Sequence, residues 1–114
     1  MIHREINLKA KTPDGMATEL MFEIAGARAD QIEIIRLYVS REDDPAPNDN
    51  LQNMLGVAGR TLRDLKKKGL IQFYATSTSF ENGSTEASFL VNKYPSLFTN
   101  TNNDIGKNCI YIKI

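Results

Sequence analysis

Apolar and polar positions alternate with a period of two from Arg4 to Thr12, where Ile6, Leu8 and Ala10 interleave with Asn7, Lys9 and Lys11. The same period returns from Thr18 to Ile24 with Leu20, Phe22 and Ile24. Both stretches are predicted as half-buried strands. Between them Thr12-Pro13-Asp14-Gly15 supplies a proline for a turn's first corner and a glycine for a positive φ, so the pair is expected to close as a β-hairpin. Residues 30–42 carry two overlapping patterns. Ile32, Ile35 and Val39 suit a helical face, whereas Ile35, Leu37 and Val39 alternate as in a strand. Asp30 as an N-cap, with Glu33 three residues later, favours the helix.

Asn50 to Ile71, NLQNMLGVAGRTLRDLKKKGLI, reads as two short helices joined by a tight turn. Leu51, Met54 and Leu55 have helical spacing, Gly56 offers the turning residue, and Val57 is placed to plug the angle between the helices. The second helix turns Leu62 and Leu65 inward and Arg60, Arg63, Lys66 and Lys67 outward, and Gly69 stands where a left-handed C-cap residue is expected. Upstream, Glu42 to Asp49 is an acidic loop with two prolines, and Asp49 or Asn50 can cap the helix after it. Downstream, apolar Leu70 to Thr76 and Ala87 to Val91 flank an Asn82-Gly83 turn signal, which predicts a second hairpin. Residues 92–107 are polar and loop-like, and Asn108 to Ile114 reads as a terminal strand paired at a sheet edge.

Composition adds bounds rather than a direction. A chain of 114 residues, 41% of them hydrophobic, suits one domain with a modest core. Fourteen basic residues balance 14 acidic ones, so net charge points to no class of partner. The distribution is uneven, however: Arg60, Arg63, Lys66, Lys67 and Lys68 are opposed between Asn50 and Gly69 only by Asp64. A single cysteine, Cys109, forms no internal disulfide, and no apolar run reaches the roughly 18 residues a membrane span requires. MIHREINLK has no apolar signal core. A cytoplasmic protein without a membrane partner is the expectation.

LQNMLGVAGRTLRDLKKKGLI resembles the winged helix-turn-helix proteins of bacterial regulators, with their Leu-Gly-Val turn followed by a Thr-Leu helix ending in Lys-Lys-Gly-Leu-Ile. FLVNKYPSLF is similar, more faintly, to the tail after the wing in some plasmid replication initiators. The resemblance implies an α+β fold. Three helices and a wing hairpin would occupy residues 30–93, with an N-terminal β-hairpin in 1–26 and a loop and terminal strand in 94–114. It further implies a protein that binds double-stranded DNA, as a transcriptional regulator or a replication or mobile-element accessory factor, and that dimerises on its site. Arg60, Thr61, Arg63, Asp64, Lys66 and Lys67 of the second helix, with Asn82 and Ser84 at the wing tip, would face the DNA.

Arginine is the side chain suited to guanine edges and phosphates, and lysine to phosphates. Glu81 and Glu86 leave the wing without a basic residue, which keeps open a second class of function: a non-catalytic protein-interaction adaptor. No enzyme is expected. His3 is the sole histidine, Cys109 has no histidine near it in sequence, and neither a Gly-x-Ser-x-Gly elbow nor a phosphate-cradling glycine loop is present. Asp43, Asp44 and Asp49 lack the glycine and terminal glutamate of a calcium loop, so no metal or cofactor is expected.

Overall fold

Thr12 makes the first departure from these expectations. The computed structural model describes residues 2–8, 12–38, 48–98 and 109–114, with the side chains of 13, 48–55 and 77 outside that description. Thr12 is extended, and its hydroxyl accepts a hydrogen bond from the Gly15 amide at 3.2 Å. Pro13 takes the first helical position, where no amide is needed, and Asp14 stands in the first turn against the helix dipole. Helix α1 (Pro13–Ala29) follows, so the N-terminal hairpin is not formed. Leu20 and Ile24 satisfy both a period of two and a four-residue helical repeat, and the cap shows which of the two the chain takes. Met16, Leu20, Ile24 and Ala27 line the buried face, leaving Phe22 75% exposed.

Strand β1 (His3–Asn7) instead pairs in parallel with β2 (Ile34–Tyr38), His3 opposite Ile34 and Asn7 opposite Tyr38. Helix α1 is their crossover connection. The helix favoured for residues 30–42 is therefore corrected to a strand where the chain is described. Asp30 caps the C-terminus of α1 rather than opening a helix, and Gln31 at φ 57° turns the chain out. Ile34 packs on one side of the sheet, Ile35 and Leu37 on the other. A strand buried on both faces loses the polar alternation that would have marked it.

Helix α2 (Asn48–Lys67) runs without interruption through Gly56, so the two-helix reading with a turn at that residue is corrected. Ala58, Leu62 and Leu65 continue a single buried stripe. Asp49 and Asn50 lie inside this helix, while the acidic loop over 42–47 and the packing roles of Leu51, Met54 and Leu55 fall outside the described residues. The C-terminus closes as expected. Gly69, at φ 75°, donates to the Lys66 carbonyl, and Leu70 donates to the Leu65 carbonyl.

Strand β3 (Phe73–Ala75) confirms part of the apolar run after Gly69, but no wing hairpin follows it. Helices α3 (Ser77–Glu81) and α4 (Thr85–Lys93) and a 3-10 turn (Pro95–Leu97) take its place. Asn82-Gly83 closes α3 in the same left-handed manner, with Gly83 at φ 63° and Ser84 donating to the Ser79 carbonyl at 3.0 Å. Ser84 then caps α4, its hydroxyl accepting from the Ala87 amide. Ala87, Leu90 and Tyr94 bury one helical stripe.

Strand β4 (Cys109–Lys113) is present where the C-terminal pattern predicted it, though not at an edge. The sheet order is β1-β2-β4-β3, and β4 is antiparallel to both its neighbours. All five of its residues are buried. The α+β class therefore stands, carried by a mixed four-stranded sheet between two helical layers. Residues from α1 and α2 fill one face, with Ile35, Leu37, Ile110 and Ile112 from the sheet. Residues from α4 and the 3-10 turn fill the other, against Ile34, Cys109 and Tyr111.

Candidate nucleic-acid interface

The buried stripe of α2 determines what the opposite side presents. With Ala58, Leu62 and Leu65 turned to the sheet, the helical repeat places Arg60, Arg63 and Lys67 on the outward side at i, i+3 and i+7. All three are exposed, as are Lys66 and Lys68 at the flank and end of the row. Gly56 leaves room beside the first of them. A β-carbon built there would meet Arg60 Nη1 at 3.8 Å, an ordinary contact. Asp64 is exposed on the same helix, and Thr61 is half-buried.

The ion pairs among the described residues lie elsewhere. Arg4 meets Asp30 at 2.6 Å and Arg36 meets Glu5 at 3.0 Å. None of the α2 cations is ion-paired among the described residues. Lys66 and Lys67 also complement the negative end of the helix dipole, which stabilises α2 whatever else they do.

The two residues expected at a wing tip do not join this row. Asn82 and Ser84 occupy the α3–α4 turn, on the far side of the sheet from α2, and the Ser84 hydroxyl is engaged in its cap. The sheet separates them from Arg60 and Arg63, so they form no common surface with the basic row.

Helix α1 borders the row instead. It packs against α2 on the same face of the sheet, and Arg28 Nη1 donates to the Leu70 carbonyl at 2.6 Å, tying the ends of the two helices together. Met21 and Phe22 on its outer side are 49% and 75% exposed. Phe22 was absent from the sequence-predicted site because strand periodicity placed it in a core. Helical spacing from Met16, Leu20, Ile24 and Ala27 is the signal that places it outside.

A second polar cluster lies on the other face of the sheet. Arg36 Nη2 donates to the Leu97 carbonyl at 2.5 Å, its guanidinium lies 5.4 Å from the centre of the Tyr111 ring, and Glu5 pairs with Nη1. Burial pushes the Cys109 thiol up to about 12, against the opposing influence of Arg36. Burial likewise pushes the Tyr111 hydroxyl up to about 12, with Cys109 adding to it and Arg36 opposing. The buried thiol therefore holds its proton at neutral pH in the folded chain. Among the described residues no group of three or more His, Cys, Asp or Glu is placed to hold a metal ion. No helix among them is long and apolar enough to cross a membrane. Comparison with protein-family models, curated proteins and solved structures finds no match.

Proposed function

We propose that this is a non-catalytic DNA-binding protein whose contact surface is the outward row Arg60, Arg63 and Lys67 of α2, flanked by Lys66. The observation that supports it is the exposure of these cations in one row, none ion-paired among the described residues. A transcriptional regulator or a replication or mobile-element accessory factor fits such a surface. The proposal keeps the basic helix of the winged-helix resemblance and does without its wing. Because α2 lies flat on a sheet beside α1, contact through phosphates suits it better than deep insertion into a major groove. Phosphate contact gives affinity and register, whereas sequence discrimination needs base edges.

The test is binding of fluorescently labelled DNA by the wild-type chain and by Arg60→Glu/Arg63→Glu at two salt concentrations. Both side chains are exposed, so circular dichroism should show an unchanged fold. Wild-type affinity should fall steeply with salt, with a log–log slope of about −0.7 to −0.9 per phosphate neutralised, and the double variant should lose both affinity and slope. Unchanged binding by the double variant would remove the basis of the proposal. Binding to protein partners alone, with weak salt dependence, would favour the adaptor reading.

A further inference from the structure

The surface around the basic row is not uniformly polar, and its one large aromatic group bears on which form of DNA it fits. Phe22 is 75% exposed on a helix of 17 residues whose inner face is otherwise well buried. Exposing this ring leaves a substantial apolar area in water, and no described element covers it.

Its position relative to the cations follows from the topology. Strands β1 and β2 are parallel, and β3 and β2 are each antiparallel to β4, so α1 and α2 both return against the same strand direction and run side by side. The Arg28–Leu70 hydrogen bond puts the last turn of α1 level with the residues just beyond α2. Phe22 lies six residues before Arg28, about 9 Å up the helix at 1.5 Å per residue. Arg63 and Arg60 lie four and seven residues before Lys67, about 6 and 10 Å up α2. Phe22 and Arg63 therefore stand near one height on adjacent helices, with Arg60 a turn further along, and the axes in such packing are about 8–10 Å apart. At the duplex rise of roughly 3.4 Å per nucleotide, a strand crosses that gap within three nucleotides.

A duplex approaching this face would press sugar and phosphate onto Phe22, because its bases are turned inward. Desolvating phosphates against an aromatic ring costs free energy and returns no hydrogen bond. A single strand has unpaired bases whose faces stack on aromatic side chains while neighbouring phosphates meet arginine and lysine. We infer that the outer face of the α1–α2 layer binds single-stranded DNA, an unpaired base stacking on Phe22 while Arg60, Arg63 and Lys67 hold the adjoining phosphates. The inference rests on the DNA-binding reading above and names the state of the strand. An anionic bilayer is the weaker match. Interfacial helices bury a broad apolar face, whereas among the described side chains of α1 and α2 only Phe22 and Met21 are large exposed apolar groups.

The chain contains no tryptophan, so Phe22→Trp introduces a single indole reporter at the proposed contact. The experiment measures binding of wild type, Phe22→Ala and Phe22→Trp to an oligothymidine strand, to a blunt duplex of matched length and to phosphatidylserine vesicles. The single strand should bind more tightly than the duplex. Phe22→Ala should weaken single-strand binding roughly fivefold to more than a hundredfold, the range that stacking of one base contributes. Its duplex binding should not weaken and should rise if anything, because the ring that a duplex would press against is gone. Phe22→Trp should retain single-strand affinity, and its indole emission should be quenched on saturation. Wild-type single-strand affinity in Phe22→Ala, absence of quenching, tighter binding to the duplex, or a response confined to vesicles would each overturn the inference. If Phe22→Ala binds normally while Arg60→Glu/Arg63→Glu does not, the stacking inference alone fails. If neither substitution matters, the DNA-binding reading fails with it.

Discussion

Among the described residues, Gln31 is the one non-glycine residue at a positive φ. It sits at φ 57°, where a side chain crowds the backbone, and it closes α1 as Gly69 and Gly83 close α2 and α3. In all three places the next residue donates to a carbonyl five residues back: Ile32 to Ala27, Leu70 to Leu65 and Ser84 to Ser79. Two of the three positions carry the glycine such a closure favours, and one does not. Gln31→Gly should therefore stabilise the protein by about 1 kcal/mol, seen as a raised urea midpoint with an unchanged slope. A lower midpoint would mean that the Gln31 side chain contributes more than its backbone strain removes. Arg36 also acts at this scale. Its guanidinium joins β1 through Glu5, the 3-10 turn through the Leu97 carbonyl and β4 through the Tyr111 ring. The only signal of it in the sequence is a lone charge inside the apolar run Ile34 to Tyr38.

Among the elements, α2 carries both the clearest success and the clearest correction of the sequence reading. Its basic outward row and its closure at Gly69 follow directly from helical periodicity and a terminal glycine. Gly56, by contrast, suggests a turn, yet it lies within a helix that continues past it in both directions. The two readings differ measurably. In a helix interior Gly56→Ala should stabilise by roughly 0.5–1 kcal/mol, since alanine loses less backbone entropy and the nearest atom is the flexible end of Arg60. At a turn requiring positive φ the same substitution would destabilise, so the sign of the change in chemical-denaturation stability decides between them. Thr12-Pro13-Asp14-Gly15 carries the same ambiguity. Threonine, proline and aspartate serve a turn or a helix start equally well, and the Gly15 amide bonded to Thr12 shows which was taken. Asn82-Gly83 likewise serves a hairpin or a helix C-terminus, both of which need a positive φ.

The whole molecule is held by a sheet whose two central strands are covered on both sides, and this predicts how it responds to alkali. Cys109 and Tyr111 on β4, and Tyr94 after α4, are buried on one face. Burial, helped by the hydrogen bond that Tyr94 donates to Glu33 at 2.9 Å, pushes the Tyr94 hydroxyl up to about 12. The ordinary values are 9.0 for the thiol and 10.0 for the phenols, whereas all three stand at about 12 in the folded chain. Between those limits the folded state holds protons that the unfolded state has released. Their contribution to stability is therefore complete below about pH 9 and is lost as pH rises toward 12. Urea midpoints measured across that window should decline, and Cys109→Ala should flatten the early part of the decline. A constant midpoint would show that these groups titrate alike in both states.

What the sequence determined by itself was local and periodic. The apolar strand at the C-terminus, the short strand at Phe73, the outward basic row of α2 and its glycine stop each depend on residues within one or two turns or pleats of one another. The tertiary structure decided everything that required a partner from elsewhere in the chain. Whether Leu20 and Ile24 belonged to a strand or a helix depended on β1 finding β2 as its neighbour. Residues 34–38 became a strand because both their faces could be buried at once. β4 moved from an edge to the centre because two strands distant in sequence had unpaired sides to offer. Phe22 was left exposed on the outer side of α1, on the helical layer that also carries Arg60 and Arg63, by the packing of α1 and α2 on one face of the sheet. Periodicity shows which side of an element is apolar, but not which other element will cover it, and the proposed DNA surface lies on what remained uncovered.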